Sequence, residues 1–157
     1  MRRVVPLASC FVLLVASTSA SAGVRGDRRP ITTKTVIHLR QQVIDGTSVD
    51  VDPPGESLGD QFVSSSLLLQ HGTRVGRMEA TCTVTNLTPG AALCEAAIRL
   101  HKGQVAAMGR LPMGALSGQQ PVRVAVVGGT GAYRNAGGFV SVTPTQANAK
   151  LKLVLLP

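Results

Sequence analysis

The chain of 157 residues has no tryptophan, one tyrosine and three phenylalanines, and only eight acidic residues against sixteen lysines and arginines. Sequence-tolerant binders of single-stranded nucleic acid stack bases on aromatic side chains along a basic groove. Past the N-terminal segment only Phe62, Tyr133 and Phe139 are aromatic, and the lysines form no run. The basic balance therefore reads as a solvated surface, and no nucleic-acid partner is expected. Missing tryptophan also argues against a sugar-binding module. His38, His71 and His101 are scattered, without the short spacing that lets metal ligands converge, so no metal site is expected.

One long apolar run is present, at the N-terminus. Arg2 and Arg3 precede the nearly unbroken stretch Val4–Ala16, and small residues follow, ending Ala20-Ser21-Ala22. This is the layout of a secretion signal, with cleavage expected after Ala22. The run is too short for a bilayer-spanning helix, which needs about 20 apolar residues, and no later stretch is long enough, so no membrane span is expected in the mature form. Leu7-Ala8-Ser9-Cys10 resembles a lipidation box, but the apolar stretch lies mostly after the cysteine. The expected organisation is a signal at 1–22, a polar leader at 23–32 and one domain at 33–157, secreted to the extracellular side. Cys10 leaves with the signal. Cys82 and Cys94 remain as an even pair in an exported chain, which favours a disulfide.

From residue 33 onward no helical period of useful length appears. Short alternating runs recur between Gly, Pro, Asn and Asp, the pattern of strands. Eight candidates are 34–44, 60–70, 74–86, 92–101, 104–111, 121–127, 138–143 and 149–156, with loops at 45–59 and 112–120. A hairpin around Thr88-Pro89-Gly90 sets Cys82 opposite Cys94. A two-residue turn at Lys102-Gly103 sets Ile98 opposite Ala107, Ala96 opposite Gly109 and Cys94 opposite Leu111. Met78, Ala80, Cys82, Val84, Cys94, Ala96, Ile98, Leu100, Val105, Ala107 and Leu111 then share a dry face. Arg77, Glu79, Thr81, Glu95, Arg99, His101 and Arg110 share a wet one. A one-residue slip would invert a face. Eight strands with one apolar face and no covering helix form a closed barrel or a two-sheet sandwich. The reading is all-β, with the barrel preferred because closure leaves no exposed edge.

The stretch Val124-Ala125-Val126-Val127-Gly128-Gly129-Thr130-Gly131-Ala132-Tyr133-Arg134-Asn135-Ala136-Gly137-Gly138 resembles the signature of the dirigent and allene oxide cyclase superfamily: a strand ending G-G-T-G, an aromatic, then A-x-G. Gly59-Asp60, Val75-Gly76-Arg77 and Leu100-His101-Lys102-Gly103-Gln104-Val105 resemble further blocks in the same order. The export signal and paired cysteines resemble a bacterial, allene-oxide-cyclase-like branch. The resemblance implies an eight-stranded antiparallel barrel whose lumen takes a hydrophobic, oxygenated small molecule. It also implies cyclisation or isomerisation without metal or organic cofactor, and a homo-oligomer. Gly137 stands where many dirigent proteins have an arginine, so an arginine-assisted acid step does not carry over to that position.

Gly128, Gly129 and Gly131 suit a tight turn with positive φ and close packing. They are not a dinucleotide fingerprint, because Arg134 occupies the third glycine position and no helix follows. An acid-assisted ring closure needs a carboxyl kept protonated by burial. Asp60 is the candidate because it matches an acidic position of the family. A three-residue loop at His71-Gly72-Thr73 turns it toward the Cys82 side, a two-residue loop away, and a surface aspartate after a turn glycine is the plain alternative. Gln41, on the Ile37, Leu39, Val43 face, is a candidate polar contact in the lumen, and Tyr133 and Arg134 are candidate ligand contacts at a barrel mouth. A non-catalytic secreted carrier or envelope-associated module remains the alternative function.

Overall fold

A computed structural model describes residues 30–116, 120–146 and 148–157. The signal at 1–22 and all of the leader before Pro30 lie outside the described residues. Eight antiparallel strands close into one barrel in chain order: β1 (Thr35–Val49), β2 (Gln61–Gln70), β3 (Thr73–Asn86), β4 (Ala91–Leu100), β5 (Gly103–Pro112), β6 (Val122–Gly129), β7 (Gly137–Pro144) and β8 (Ala149–Leu156). A four-residue helix, α1 (Met113–Leu116), interrupts the β5–β6 connection. β1 pairs with β8, so neither terminal strand presents a free edge. The barrel, not the sandwich, is the solution adopted.

Cys82 pairs with Cys94 across β3 and β4 and is disulfide-bonded to it. Neighbouring antiparallel strands bring two such Cα atoms close, here 4.0 Å apart. The wall sorts as expected: Met78, Val84, Cys94, Ile98, Leu100, Val105, Ala107 and Leu111 are buried, while Arg77, Glu79, Glu95, Arg99 and Arg110 are exposed.

Two registers differ from the expectation. In the β4–β5 hairpin Leu100 pairs with Gly103, so the turn is His101-Lys102 and Ile98 faces Val105, Ala96 faces Ala107 and Cys94 faces Gly109. The slip is two residues, which leaves every face unchanged because strand side chains alternate with period two. Gly103 is needed elsewhere: a Cβ there would strike the Thr130 carbonyl. The β2–β3 turn is the two-residue His71-Gly72, which alone would turn Asp60 away from Cys82. A bulge between Leu68 and Leu69 restores the missing residue on β3, and Phe62 pairs with Cys82. Bulges of this kind re-aim a strand without breaking the ladder.

β1 runs to Val49 rather than ending near residue 44. Asp45-Gly46-Thr47-Ser48 reads as a turn locally, yet a bulge between Val43 and Asp45 lets it pair with Phe62–Ser65. This extension builds one wall of the site below.

Candidate functional site

The two ends of the barrel differ. At one end the signature turn folds against the β4–β5 hairpin. Thr130 N donates to Gln104 O at 2.8 Å, Ala132 N to Lys102 O at 2.9 Å, and Gln104 N to Thr130 Oγ1 at 3.1 Å. Gly131 has φ +62, and a Cβ on it would strike the Lys102 carbonyl. Tyr133, 4% exposed, is driven inward by this turn and packs in the main cluster with Leu39, Leu68, Ile98, Val126 and Leu153. Burial raises its phenol above the ordinary 10.0. Ile31 N donates to Ala132 O at 3.0 Å, laying residues 30–32 over this end. Arg134 is exposed beside the turn. A cleft of about 470 Å³ lies between residues 30–32 and the β4–β5 turn, with Tyr133 in its wall. Tyr133 thus plugs the lumen at this end.

The opposite end is closed only in part: Met113 and Leu116 of α1 pack against the buried Ala92, Cys94 and Leu111 of β4 and β5, and the β1–β2 side is left uncovered. By register, the inner faces of β1 and β2 here carry Gln41, Val43, Gly46, Ser48, Phe62, Ser64 and Ser66. Val43 and Phe62 apart, these are small or polar where β8 offers Leu151, Leu153 and Leu155, all buried. Ser66 is fully buried, and Gln41 Nε2 donates to its Oγ at 3.0 Å. Nearer the mouth, Phe62 is 39% exposed although it faces the disulfide strand. A depression of about 430 Å³ is lined there by Ser48, Asp60, Phe62, Val84 and Met113 among others. That is the size range of a small-molecule site.

The segment from Asp50 to Asp60 forms the lip of this mouth, and Asp60 organises it. Its Oδ1 accepts from Val51 N at 2.9 Å and its Oδ2 from Ser57 N at 2.8 Å. Ser57 Oγ lies 2.7 Å from Val51 O and 2.9 Å from Asp60 Oδ1. Gly59 N donates to Val84 O, and Val84 N to Asp60 O, fastening the lip to β3. The Val51 amide, then the Ser57 amide and hydroxyl, hold the Asp60 carboxyl below its ordinary 3.8. These donors favour the carboxylate, whereas the general-acid role expected for Asp60 needs the protonated form.

The structure does not unite the residues singled out from the sequence. Asp60 stands at the open mouth, Tyr133 and Arg134 at the plugged end, and Gln41 between them in the lumen. Gly128 sits at the β5–β6 bulge, opposite Ala106, while Gly129 and Gly131 belong to the turn. Sequence reasoning missed Ser48, Phe62, Ser64, Ser66, Val84 and Met113. The available signal was Ser64-Ser65-Ser66, which places hydroxyls at two inward positions of one strand. Among the described residues no three His, Cys, Asp or Glu side chains converge to hold a metal ion, and no helix is long and apolar enough to cross a membrane.

The model of the allene oxide cyclase barrel like domain matches residues 40–155, from the middle of β1 to the end of β8. The chain belongs to this family. Among solved structures, a pyocyanin demethylase shares 29% identity, with 78% of this chain and all of that one covered and a TM-score of 0.70. The Diels–Alderase AbmU from Streptomyces koyangensis shares 20% identity over 78% of this chain and 63% of its own, with a TM-score of 0.68. A pterocarpan synthase dirigent protein shares 16% identity over 78% and 88%, with a TM-score of 0.57. The last two show the fold alone, and this chain spans just under two thirds of AbmU. No curated protein matches at comparable strength. The match covers both ends of the allene-oxide-cyclase-like barrel, so the open mouth and the plugged end are features of one family domain.

Proposed function

We propose that the chain is an exported barrel that takes an apolar, oxygen-bearing small molecule into the open end of its lumen and guides ring closure or isomerisation without a cofactor. The observation that carries this reading is the asymmetry of the lumen: one end sealed by Tyr133, the other lined by Ser48, Phe62, Ser64, Val84 and the Gln41–Ser66 pair. Affinity comes from apolar contact with Phe62, Val84 and Met113, and orientation from the serine hydroxyls and Gln41, as small-molecule sites divide these tasks.

The inner faces of the eight strands carry no Asp, Glu, His, Lys or Arg. Among the described residues the only titratable side chain packed in the core is Tyr133 at the sealed end, and Asp50, Glu56 and Asp60 stand at the rim of the mouth, an arrangement that suits chemistry in which no proton moves inside the lumen. Holding a flexible substrate in a folded conformer lowers the entropic part of a barrier, and a cycloaddition of the kind named for AbmU asks for little else. Demethylation, named for the pyocyanin demethylase, shows that a related chain acts on a small molecule by other means. Asp60, ionised, positions the lip of the mouth.

The absence of a lumen acid also favours a second reading, a carrier that binds without turnover. The chain has no tryptophan, so Phe62→Trp installs a single reporter at the mouth. N-phenyl-1-naphthylamine, a neutral apolar probe, should take energy from this tryptophan, and Ser64→Leu, which fills the lumen, should abolish the transfer. Transfer that survives Ser64→Leu would refute the site. Native mass spectrometry of the protein with its co-purified compound then separates the readings: a compound released altered supports the cyclase, one released unchanged the carrier.

A further inference from the structure

The last acidic residue in the chain is Glu95. Everything folded after it is cationic or neutral, and the closure of β8 onto β1 gathers those cations with the basic start of β1. On the outer wall Lys152 pairs with His38 and Lys150 with Arg40, and Arg123 lies two strands beyond β8, on β6, opposite Ser141 of β7. Lys152 and Lys150 face Ser141 and Thr143 on β7, and Arg40 faces Leu69 on β2. No carboxylate stands opposite any of them in either neighbouring strand. Arg40, Arg123, Lys150 and Lys152 are all exposed. Strands about 4.8 Å apart place them within a patch roughly 14 Å wide.

Like charges set directly opposite one another destabilise a sheet. The other basic pair of the barrel, Arg77 opposite Arg99, has Glu79 two residues along on the same face. The β1–β8 pairs have no such relief. Arg123 is held in place, its guanidinium 4.2 Å above the Phe139 ring. A depression of about 480 Å³ in this wall is bordered by Val36, His38, Arg40, His71 and Lys150. Val36 and Leu156, both exposed, lie on the same outer face toward the plugged end.

We propose that the outer wall of β6, β7, β8 and β1 docks on an anionic phospholipid surface, with Arg40, Arg123, Lys150 and Lys152 against the headgroups and Val36 and Leu156 at the boundary of the acyl region. Basic side chains bordered by exposed aliphatic ones fit such a surface. A nucleic acid offers nothing for Val36 or Leu156, and the patch has no free aromatic face for stacking, since Arg123 covers Phe139. The mouth uses inner positions of β2 and β3 and the Gly46–Ser48 end of β1, whereas the patch uses outer positions of the Val36–Arg40 half of that strand, so docking and ligand binding are separable.

The test is co-sedimentation of the full chain with vesicles of phosphatidylglycerol and phosphatidylcholine, or of phosphatidylcholine alone. All proteins compared share the same N-terminal segment, so its contribution cancels. Wild type should prefer the anionic vesicles, and the preference should fall with salt. Lys150→Gln/Lys152→Gln should weaken anionic binding by about 25-fold, at about fivefold per charge. Arg77→Gln/Arg99→Gln, the same change in net charge on the far wall, should leave it unaltered. If the lysine variant does not fold, Arg40→Gln/Arg123→Gln makes the same comparison. Equal loss in the two walls, no preference for phosphatidylglycerol, or tighter binding to a DNA duplex than to anionic vesicles would overturn the proposal.

Discussion

Gln41 and Ser66 meet inside the barrel, the Gln41 amide donating to the Ser66 hydroxyl across 3.0 Å on neighbouring strands. Ser66 is fully buried, with Leu68 and Met78 beside it in the ladder. A buried hydrogen bond contributes about 1 kcal/mol net, and stranding one partner costs more than removing both. Ser66→Val should therefore destabilise the protein by about 1 kcal/mol or somewhat more. Gln41→Leu/Ser66→Val should cost less than the sum of the single changes, as coupled pairs do. Urea unfolding of the four proteins checks this. Strict additivity would show that the pair does not act as a unit.

Asp60 gives a pH signature. Its folded carboxyl is held below 3.8 by the Val51 and Ser57 donors. A depressed acid stabilises the fold above its unfolded value, and that stability is lost as pH falls through the folded value. Asp60→Asn should be less stable than wild type near neutrality, and the two should converge below pH 3.8. Unfolding midpoints across pH 2–7 measure the gap. A gap that stays constant or widens in acid would contradict the staple.

Tyr133 is a plug rather than a reagent. Removing a buried aromatic ring costs about 3–5 kcal/mol, so Tyr133→Ala should lose stability on that scale. Tyr133→Phe should keep both stability and probe binding. A Tyr133→Phe protein that folds normally but fails to bind N-phenyl-1-naphthylamine would move the site to the signature end.

The disulfide links residues 12 apart in sequence, and closing a loop of that size stabilises by about 3 kcal/mol in the chain-entropy model. Cys82→Ala/Cys94→Ala should lose up to that amount and still bind the probe, because the β3–β4 ladder runs on both sides of the bridge. Denaturant midpoints and probe titration report the two effects separately.

Strand positions were legible because alternation is local and Gly, Pro and Asn punctuate it. The β3–β4 register was legible because two cysteines had one sensible way to meet. The β4–β5 hairpin was misplaced by two residues because Gly103 looks like a turn residue and serves instead as a gap for the Thr130 carbonyl, a contact 27 positions away in sequence. The face of Asp60 depended on a bulge near Val75 that no local pattern announces. The extension of β1 to Val49 was hidden because Asp45-Gly46 resembles a turn until β2 is there to pair with it. The site was the least legible part. Its polar members are serines, which are common on any strand, and only barrel closure shows that Ser64 and Ser66 point inward. The signature residues Tyr133 and Arg134 drew notice for their motif, which folds against the β4–β5 hairpin at the other end, with Tyr133 in the wall of the cleft there.

The location of the ligand site is tested most directly by amide shift mapping of ¹⁵N-labelled protein titrated with N-phenyl-1-naphthylamine. The largest changes are expected at Ser48, Phe62, Ser64, Ala80 and Val84, with little change at Lys102 or Arg134. Changes centred on Lys102, Tyr133 and Arg134, or on the depression of about 500 Å³ that Glu79, Ala97 and Met108 help to line on the outer wall, would contradict an open-ended lumen as the ligand site.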